Sequence, residues 1–257
     1  MSGSPTAAAR FPDLAGRVAL VTGGSRGLGA ALCETLAANG VRVAVSGRDP
    51  DAIARTVARC EAAGAQAVGI AAEASDSAAV DRLVREATEA LGPIDLVAAF
   101  AGFDSPEVPL VDVTDEDWHR VIEGNLSAGF YMLRAVLPGM MERRRGAIVL
   151  MSSTAARKNT VATAGYSAAK SGIIALTRKA AFEGGPHGIR VNCVAPSLIP
   201  TEGRVIPYTA DQIAEGWPLG RLGVPEDVAQ ATTFLLSDAS SWITGITVDV
   251  AGGRVLP

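Results

Sequence analysis

The sequence predicts an α/β fold, with a doubly wound, seven-stranded parallel sheet and helices on both faces of that sheet. Two observations predict it. Short apolar runs alternate with longer segments of helical periodicity along the chain, and the apolar runs are continuous rather than alternating in polarity. Strands that are apolar on both faces belong to parallel sheets covered by helices. No linker, repeat or low-complexity block divides the chain, which predicts a single domain.

In the first half of the chain, each element has a recognisable boundary. Gly40 suits the C-terminal cap of the first helix, and Asp49 followed by Pro50 is a typical helix start. The third helix ends before Gly92 and Pro93. The predicted strands are 17–22, 41–45, 67–71 and 95–100, and the predicted helices are 28–39, 50–63 and 77–91.

In the second half, Thr114 with Asp117 resembles a capping box and predicts one long helix to about residue 142. Pro225 opens the last helix. The remaining predicted strands are 147–151, 190–195 and 247–250, and the remaining predicted helices are 164–182, 209–216 and 225–236.

Two segments depart from the strand–helix rhythm. Residues 1–12 carry no apolar core of a signal peptide and predict a flexible N-terminal tail before a domain at 13–257. Residues 197–224 contain three prolines and several glycines around one short helical segment. An irregular stretch of that length is usually functional, so it predicts a substrate loop.

Composition excludes several classes of function. The net charge of −4 and pI of about 5.3 provide no basic field for nucleic acid or an anionic membrane. No apolar run approaches 18 residues, which predicts no membrane span. The three cysteines are widely spaced, and the two histidines pair with none of them, so no metal site is predicted. Free thiols favour a reducing compartment, and the predicted location is the cytoplasm.

A glycine-rich turn follows the first predicted strand and precedes a helix. The sequence Thr22-Gly-Gly-Ser-Arg-Gly-Leu-Gly29 places glycines where the backbone can approach a pyrophosphate at a helix N-terminus. The same glycines could merely pack a tight turn. A Walker-type phosphate loop is excluded because no Lys-Ser/Thr pair follows the last glycine.

Tyr166 and Lys170 lie four residues apart in a predicted helix, so their side chains share one face. A free tyrosine has a pKa of about 10 and is a poor acid–base group at pH 7. A positive charge at about 5 Å is worth about 3 kcal/mol, or roughly two pKa units, which would make the phenol a usable proton donor. The pair alone also occurs by chance on solvated helices.

Together, these motifs resemble the short, single-domain branch of the short-chain dehydrogenase/reductase family over about residues 14–253. The matching pieces are residues 22–29, Ile94-Asp95, Asn125, Ser152-Ser153, Tyr166 with Lys170, Val191-Asn192, Pro196 and Thr201. In the family, the tyrosine follows the catalytic serine by 13 residues, and counting back from Tyr166 gives Ser153. The resemblance implies a Rossmann-type fold and an oxidoreductase that moves a hydride between a nicotinamide cofactor and a carbonyl or secondary alcohol.

The resemblance also implies a role for each matching residue. Tyr166 would be the general acid–base group, and Lys170 would lower its pKa and bind the nicotinamide ribose. Ser153 would donate a hydrogen bond to the substrate oxygen, and Asn125 would hold a water that links Lys170 to solvent. Ser152 should point the other way, because side chains alternate along a strand.

Cofactor contacts are expected over a wider set of residues. These are Gly23, Ser25, Arg26, Gly27, Leu28, Gly29, Arg48, Glu73, Ala74, Ala101, Gly102, Tyr166, Lys170, Pro196, Ser197, Ile199 and Thr201. No carboxylate ends the second strand to bind a ribose 2′-hydroxyl, whereas Arg26 and Arg48 suit a 2′-phosphate. The sequence therefore predicts NADP(H) over NAD(H).

The chain departs from the family pattern at several positions. Ala99 and Phe100 stand where two asparagines are usual, which puts the stability of the central sheet in question. Ser197 replaces a glycine beside the nicotinamide, and Ala251 replaces an aspartate. Substrate contacts are expected from Ser153, Tyr166, Phe103 and Ile206. The apolar residues in 197–224 favour an apolar ligand, but they could equally cover the core or an oligomer interface.

Several alternatives stay open. Within the class, reduction of a 3-oxoacyl thioester fits the pattern, with Arg157, Lys158 and Arg204 as possible anion contacts. Enoyl reduction is disfavoured, since enoyl reductases have a longer tyrosine-to-lysine spacing. A cofactor-binding regulator without activity would be expected to lose Ser153, Tyr166 or Lys170, and none is lost. The resemblance further implies a homo-oligomer, with a tetramer expected, and a small-molecule substrate.

Overall fold

The computed structural model describes residues 9–103, 107–158, 162–202 and 208–255. Its seven parallel strands form one sheet in the order β3-β2-β1-β4-β5-β6-β7. The strands are β1 (Val18–Thr22), β2 (Arg42–Gly47), β3 (Ala67–Ala71), β4 (Leu96–Ala99), β5 (Gly146–Met151), β6 (Ile189–Pro196) and β7 (Thr247–Val250). The predicted fold class is confirmed.

Eight α-helices belong to the described part of the chain. They are α1 (Gly27–Ala38), α2 (Pro50–Ala62), α3 (Ser77–Leu91), α4 (Asp115–Ile122), α5 (Ala128–Arg143), α6 (Ala164–Gly184), α7 (Ala210–Gly216) and α8 (Pro225–Leu236). None of the described helices is long and apolar enough to span a membrane.

Two apolar cores lie on opposite faces of the sheet. One is built with residues of α1, α2 and α8, and the other with residues of α3, α5 and α6. Along β1, Ala19 and Val21 enter the first core, while Val18 and Leu20 enter the second. The alternation of side chains along a strand therefore distributes one continuous apolar run between two layers.

The predicted long helix at 114–142 is wrong in one respect. A π-helical turn, Glu123–Ser127, separates α4 from α5. The Asn125 side chain explains it in part, because its Nδ2 donates to the Val121 carbonyl at 2.9 Å. A regular α-helix would pair that carbonyl with the backbone N–H of residue 125. Side-chain competition of this kind is not visible in hydrophobic periodicity.

Part of the predicted N-terminal tail contacts the domain. The Phe11 ring centroid lies 6.4 Å from that of Phe234, and the Phe11 N–H donates to Asn39 Oδ1 at 2.8 Å. Residues 12–14 form a 3-10 turn with Leu14 fully buried. The chain is thus attached to the domain from at least residue 11, because an aromatic side chain there covers α8.

Candidate active site

The carboxyl ends of β1, β4, β5 and β6 border a cleft of about 1400 Å³. Parallel sheets bind ligands at this edge, where the helices that follow the strands present their N-termini. Most of the predicted site residues line this cleft. They are Gly23, Ser25, Arg26, Gly27, Leu28, Gly29, Arg48, Glu73, Ala74, Ala101, Gly102, Phe103, Ser153, Tyr166, Lys170, Pro196, Ser197, Ile199 and Thr201.

The glycine turn between β1 and α1 is closed by backbone contacts. Gly23 has φ of +64°, and a Cβ there would lie 2.9 Å from the carbonyl group of Phe100. Gly27 has φ of +52°, and a Cβ there would lie 3.1 Å from Thr201 Cγ2. No side chain caps the start of α1. The turn thus leaves a bare helix N-terminus facing the cleft, which fits the pyrophosphate of a dinucleotide.

At the end of β2, both predicted phosphate-binding arginines carry a carboxylate partner. Arg26 pairs with Asp49, and Arg48 Nη1 lies 3.8 Å from Glu73 Oε2. Asp49 also caps α2 by accepting the Ala52 N–H, and this bond, followed by the Arg26 charge, holds the pKa of Asp49 below its usual value. These pairs are exposed, so they hold each arginine only weakly.

The two serines after β5 make different contacts, although both belong to the cleft lining. Ser152 is buried and its hydroxyl donates to the Lys170 carbonyl at 2.8 Å. Ser153 lines the cleft and its Oγ accepts the Ala155 N–H at 3.1 Å. Since Oγ accepts that bond, the hydroxyl proton of Ser153 is left to donate to a ligand in the cleft.

Tyr166 and Lys170 occupy the first two turns of α6 and face the same cleft. Lys170 is 3% exposed; its Nζ lies 5.4 Å from the Tyr166 ring centroid and donates to the Met151 carbonyl at 3.0 Å. A buried ammonium beside a phenol favours the negatively charged form of that phenol. The structure thus brings the two predicted residues together at the cleft.

Asn125 lies behind the cleft wall rather than in its lining. Its Nδ2 donates to the carbonyls of Phe103 and Val121, both at 2.9 Å, which orients the amide. Its buried Oδ1 has no hydrogen-bond partner among the described residues. A Cβ at Gly102 would lie 2.5 Å from this oxygen and 3.2 Å from Lys170 Nζ, so the missing side chain of Gly102 allows both polar groups to approach the backbone here.

The family departures have structural counterparts. Phe100 is 8% exposed and packs in the core formed with α1 and α8, so the side chain at this departure makes apolar contacts. Ser197 Oγ accepts the indole N–H of Trp217 at 3.1 Å. The apolar residues of 197–224 are expected either to contact a ligand or to cover the core. Trp217 is fully buried, so this tryptophan packs in the interior.

Two arginines of the cleft lining are not among the predicted site residues. Arg55 lines the cleft from α2, and Arg254 lines it from the segment after β7. No local motif marks Arg254, because its position depends on how the chain after β7 turns back over the substrate side. The predicted substrate residue Ile206 lies outside the described residues.

Comparison with known proteins agrees with this geometry. A family model described as enoyl-(acyl carrier protein) reductase matches residues 23–254. Acetoacetyl-CoA reductase of Rhizobium meliloti (strain 1021) is 39% identical over 241 residues, 93% of this chain and 98% of the relative. Dehydrogenase/reductase SDR family member 4 of Homo sapiens is 35% identical, over 95% of this chain and 89% of the relative. The chain belongs to the short-chain dehydrogenase/reductase family.

A solved structure extends the match to three dimensions. The 3-oxoacyl-[acyl-carrier protein] reductase of Brucella melitensis with bound NAD superimposes with a TM-score of 0.88 at 34% identity, covering 96% of this chain and 94% of that one. As a short-chain dehydrogenase/reductase, the protein is an NAD(P)-dependent oxidoreductase that acts on small carbonyl or alcohol substrates.

Proposed function

We propose that this enzyme transfers a hydride between NADP(H) and a carbonyl or secondary alcohol, with Tyr166 as the general acid–base group. The observation that carries the proposal is the convergence of Ser153, Tyr166 and Lys170 on one cleft that also contains the uncapped start of α1. The nicotinamide supplies the hydride when bound. The chain's own residues bind, orient and move protons.

In the reductive direction, Tyr166 donates its proton to the substrate oxygen. The Lys170 ammonium, 5.4 Å from the ring centroid, stabilises the phenolate that remains. The Ser153 hydroxyl donates to the same substrate oxygen as negative charge develops there, and such donors commonly contribute a factor of about 10²–10³ in rate. In oxidation, the same groups act in reverse.

Proton supply is assigned to Asn125. Its oriented amide directs the buried Oδ1 toward Gly102, which is also close to Lys170 Nζ. A water bound there would accept a hydrogen bond from Lys170 and donate one to Asn125, which would connect the ammonium to solvent. Replacing Gly102 by alanine would force the Asn125 amide to shift, because the new methyl group would lie 2.5 Å from its Oδ1.

The preference for NADP(H) rests on Arg26 and Arg48, with Arg55 on the same side of the cleft. Their exposed carboxylate partners contribute little, and a 2′-phosphate carries more charge than one carboxylate. We expect a higher kcat/KM for NADP(H) than for NAD(H), and Arg48→Ala should raise KM for NADP(H) far more than for NAD(H). An equal or higher kcat/KM with NAD(H) would contradict this preference.

The second candidate is reduction of a 3-oxoacyl thioester. It is supported by the printed names of two similar proteins, acetoacetyl-CoA reductase and 3-oxoacyl-[acyl-carrier protein] reductase. Enoyl reduction, the description of the matching family model, is disfavoured by the spacing of Tyr166 and Lys170. An inactive cofactor-binding regulator is disfavoured because the chain keeps every predicted catalytic residue.

A screen of NADPH oxidation over ketones, aldehydes, quinones and 3-oxoacyl thioesters tests these candidates. Tyr166→Phe is the control, because it removes only the hydroxyl. We expect turnover of at least one class and its near-complete loss in the variant. Near-normal turnover by Tyr166→Phe would refute the mechanism, and NADPH binding without any turnover would favour the regulator.

We also propose a homo-oligomer, with a tetramer expected. Large apolar side chains are exposed on the described surface, among them Phe182 at 80% and Trp242 at 98%. Such side chains on one monomer suit an interface between copies. A single monomeric species in light scattering at micromolar concentration would contradict the proposal. The cytoplasmic location stays a prediction.

A further inference from the structure

Arg254 presents a guanidinium group to the cleft. Its Cζ lies 3.8 Å from the Trp217 ring centroid and 5.6 Å from that of Tyr208. Among the described residues, no carboxylate lies within 4.0 Å of it, and none of its five N–H groups donates a hydrogen bond. Ring stacking uses the face of the guanidinium and leaves its N–H edge available for a ligand.

Arg254 is held in place by a chain of contacts. The Trp217 ring beneath it is fully buried, and the indole N–H donates to Ser197 Oγ at 3.1 Å. The Arg254 backbone N–H donates to Ala251, and its carbonyl accepts Lys158 Nζ at 3.2 Å. Its position therefore depends on Ser197, the residue at which this chain departs from the glycine usual in its family.

These contacts place Arg254 at the substrate side of the cleft. Ser197 follows Pro196 at the end of β6, and Lys158 follows the short turn that begins after Ser153. The arginines expected at the cofactor, Arg26 and Arg48, lie at the other end, near β2 and β3, where Glu73 and Asp49 pair with them. The cation of Arg254 is thus separate from the phosphate-binding set.

Charge near Arg254 is mainly positive among the described lining residues. Lys158 lines the same part of the cleft and contacts Arg254 directly. Glu202 is the acidic lining residue on this side in the part of the chain that the structure describes, and it forms no ion pair within 4.0 Å with either cation. Lys158 and Arg254 both line the cleft, and among the described residues neither forms an ion pair within 4.0 Å, which favours an anionic ligand.

We propose that Arg254, assisted by Lys158, binds a carboxylate of the substrate, so that the enzyme acts on oxo acids and the corresponding hydroxy acids. The planar guanidinium can hold both carboxylate oxygens at once. Tyr166 and Ser153 would then act on the carbonyl of the same molecule. The inference rests on the proposed function and narrows its substrate class.

The test compares an oxo acid with its methyl ester, which has the same carbonyl but no charge. We expect wild type to prefer the acid, and Arg254→Gln to lower kcat/KM for the acid by about 10- to 100-fold, the usual range for one charge-assisted hydrogen-bonded contact. The ester should lose less than threefold. Arg254→Lys should have a kcat/KM for the acid between those of wild type and Arg254→Gln, because lysine keeps the positive charge but lacks the planar guanidinium that bonds both carboxylate oxygens.

Arg178→Gln is the matched control, since this exposed arginine lies on α6 outside the cleft lining. It should leave the ratio of acid to ester unchanged. Equal losses for acid and ester in Arg254→Gln would overturn the proposal, because they would mean that Arg254 only supports Trp217. A wild-type preference for the ester would also overturn it.

A binding measurement separates this inference from the proposed function. Butyrate, which cannot be reduced, is titrated calorimetrically into the NADP⁺-loaded wild type and the Arg254→Gln variant, with inorganic phosphate in a second arm. Butyrate binding that weakens at least tenfold in the variant supports the carboxylate site even if no carbonyl compound is turned over. Equal butyrate affinity in both proteins, or binding of phosphate alone, refutes it.

Discussion

Alkaline pH should destabilise the enzyme through its buried thiols, and Cys60 allows the effect to be isolated. Cys60 lies on α2, away from the cleft, and is fully buried. Burial, with the Glu34 charge adding to it, raises the pKa of its thiol from 9.0 to about 11. A group with a raised folded-state pKa binds its proton more tightly when folded, so it stabilises the native state fully below pH 9.

That stabilisation disappears as the pH rises toward 11. Since one pKa unit corresponds to about 1.4 kcal/mol, a shift of two units makes the unfolding free energy about 2 kcal/mol smaller at pH 10.5 than at pH 8 through this thiol alone. Burial raises the pKa of Cys193 to about 11 as well, so the two thiols should act in the same direction.

The assay is urea unfolding of wild type and Cys60→Ala at pH 8, 9 and 10.5, with a reducing agent present. The variant should be less stable than wild type at pH 8 by about 1 kcal/mol, an ordinary value for a small buried truncation. Between pH 8 and 10.5 it should lose about 2 kcal/mol less than wild type does. Other groups that titrate in this range are common to both proteins and largely cancel in the difference. The exception is Cys33, whose pKa is raised by burial and, to a smaller extent, by Cys60. Equal losses over that interval would refute the reasoning.

Three further predictions concern the site. Gly23→Ala should lower the unfolding free energy by about 2–5 kcal/mol, because alanine is strained in the left-handed conformation and its Cβ would contact the Phe100 carbonyl. Gly16→Ala is the control for the strain alone, since Gly16 has φ of +77° and no atom within 4 Å of a Cβ. Equal losses of unfolding free energy in the two variants would contradict a contribution from the Phe100 contact. Asp49→Asn should keep the cap of α2 but remove the ion pair with Arg26. In steady-state kinetics, the variant should have a KM for NADP(H) lower by up to about fivefold and a KM for NAD(H) that changes little. Equal changes in both KM values would contradict the prediction. Ser197→Ala should lower the unfolding free energy, measured by urea unfolding, by about 1–3 kcal/mol, because it leaves the buried Trp217 N–H without its acceptor. A decrease of less than about 0.5 kcal/mol would show that this hydrogen bond contributes little to stability.

Most of the fold could be predicted because each element carries its own local signal. The helix at Ser77–Leu91 begins after Asp76, whose side chain accepts two backbone N–H groups, and it ends at Gly92 with positive φ. The strand at Thr247–Val250 is bounded by a glycine on either side at 245 and 252. Capping residues and glycines act over one turn of chain, so a single sequence contains the information.

The features that could not be predicted depend on contacts between distant segments. The π-turn at Glu123–Ser127 reflects an amide held by Phe103, which is 22 residues away from Asn125. Arg254 reaches the cleft because Trp217 and Ser197 provide a surface for it. The attachment of Phe11 depends on Phe234 at the far end of the chain. The hydrophobic periodicity of a sequence does not indicate which distant residues contact each other.

The division of the interior into two cores has a consequence for how this enzyme can change. The cofactor turn leads into α1, in one layer, whereas Tyr166 and Lys170 belong to α6, in the other, and the sheet separates them. Substitutions at Leu36 and at Leu83, on opposite faces, should therefore have additive effects on stability, within about 0.5 kcal/mol. Each layer can therefore accept substitutions of this kind with little effect from the other layer on stability.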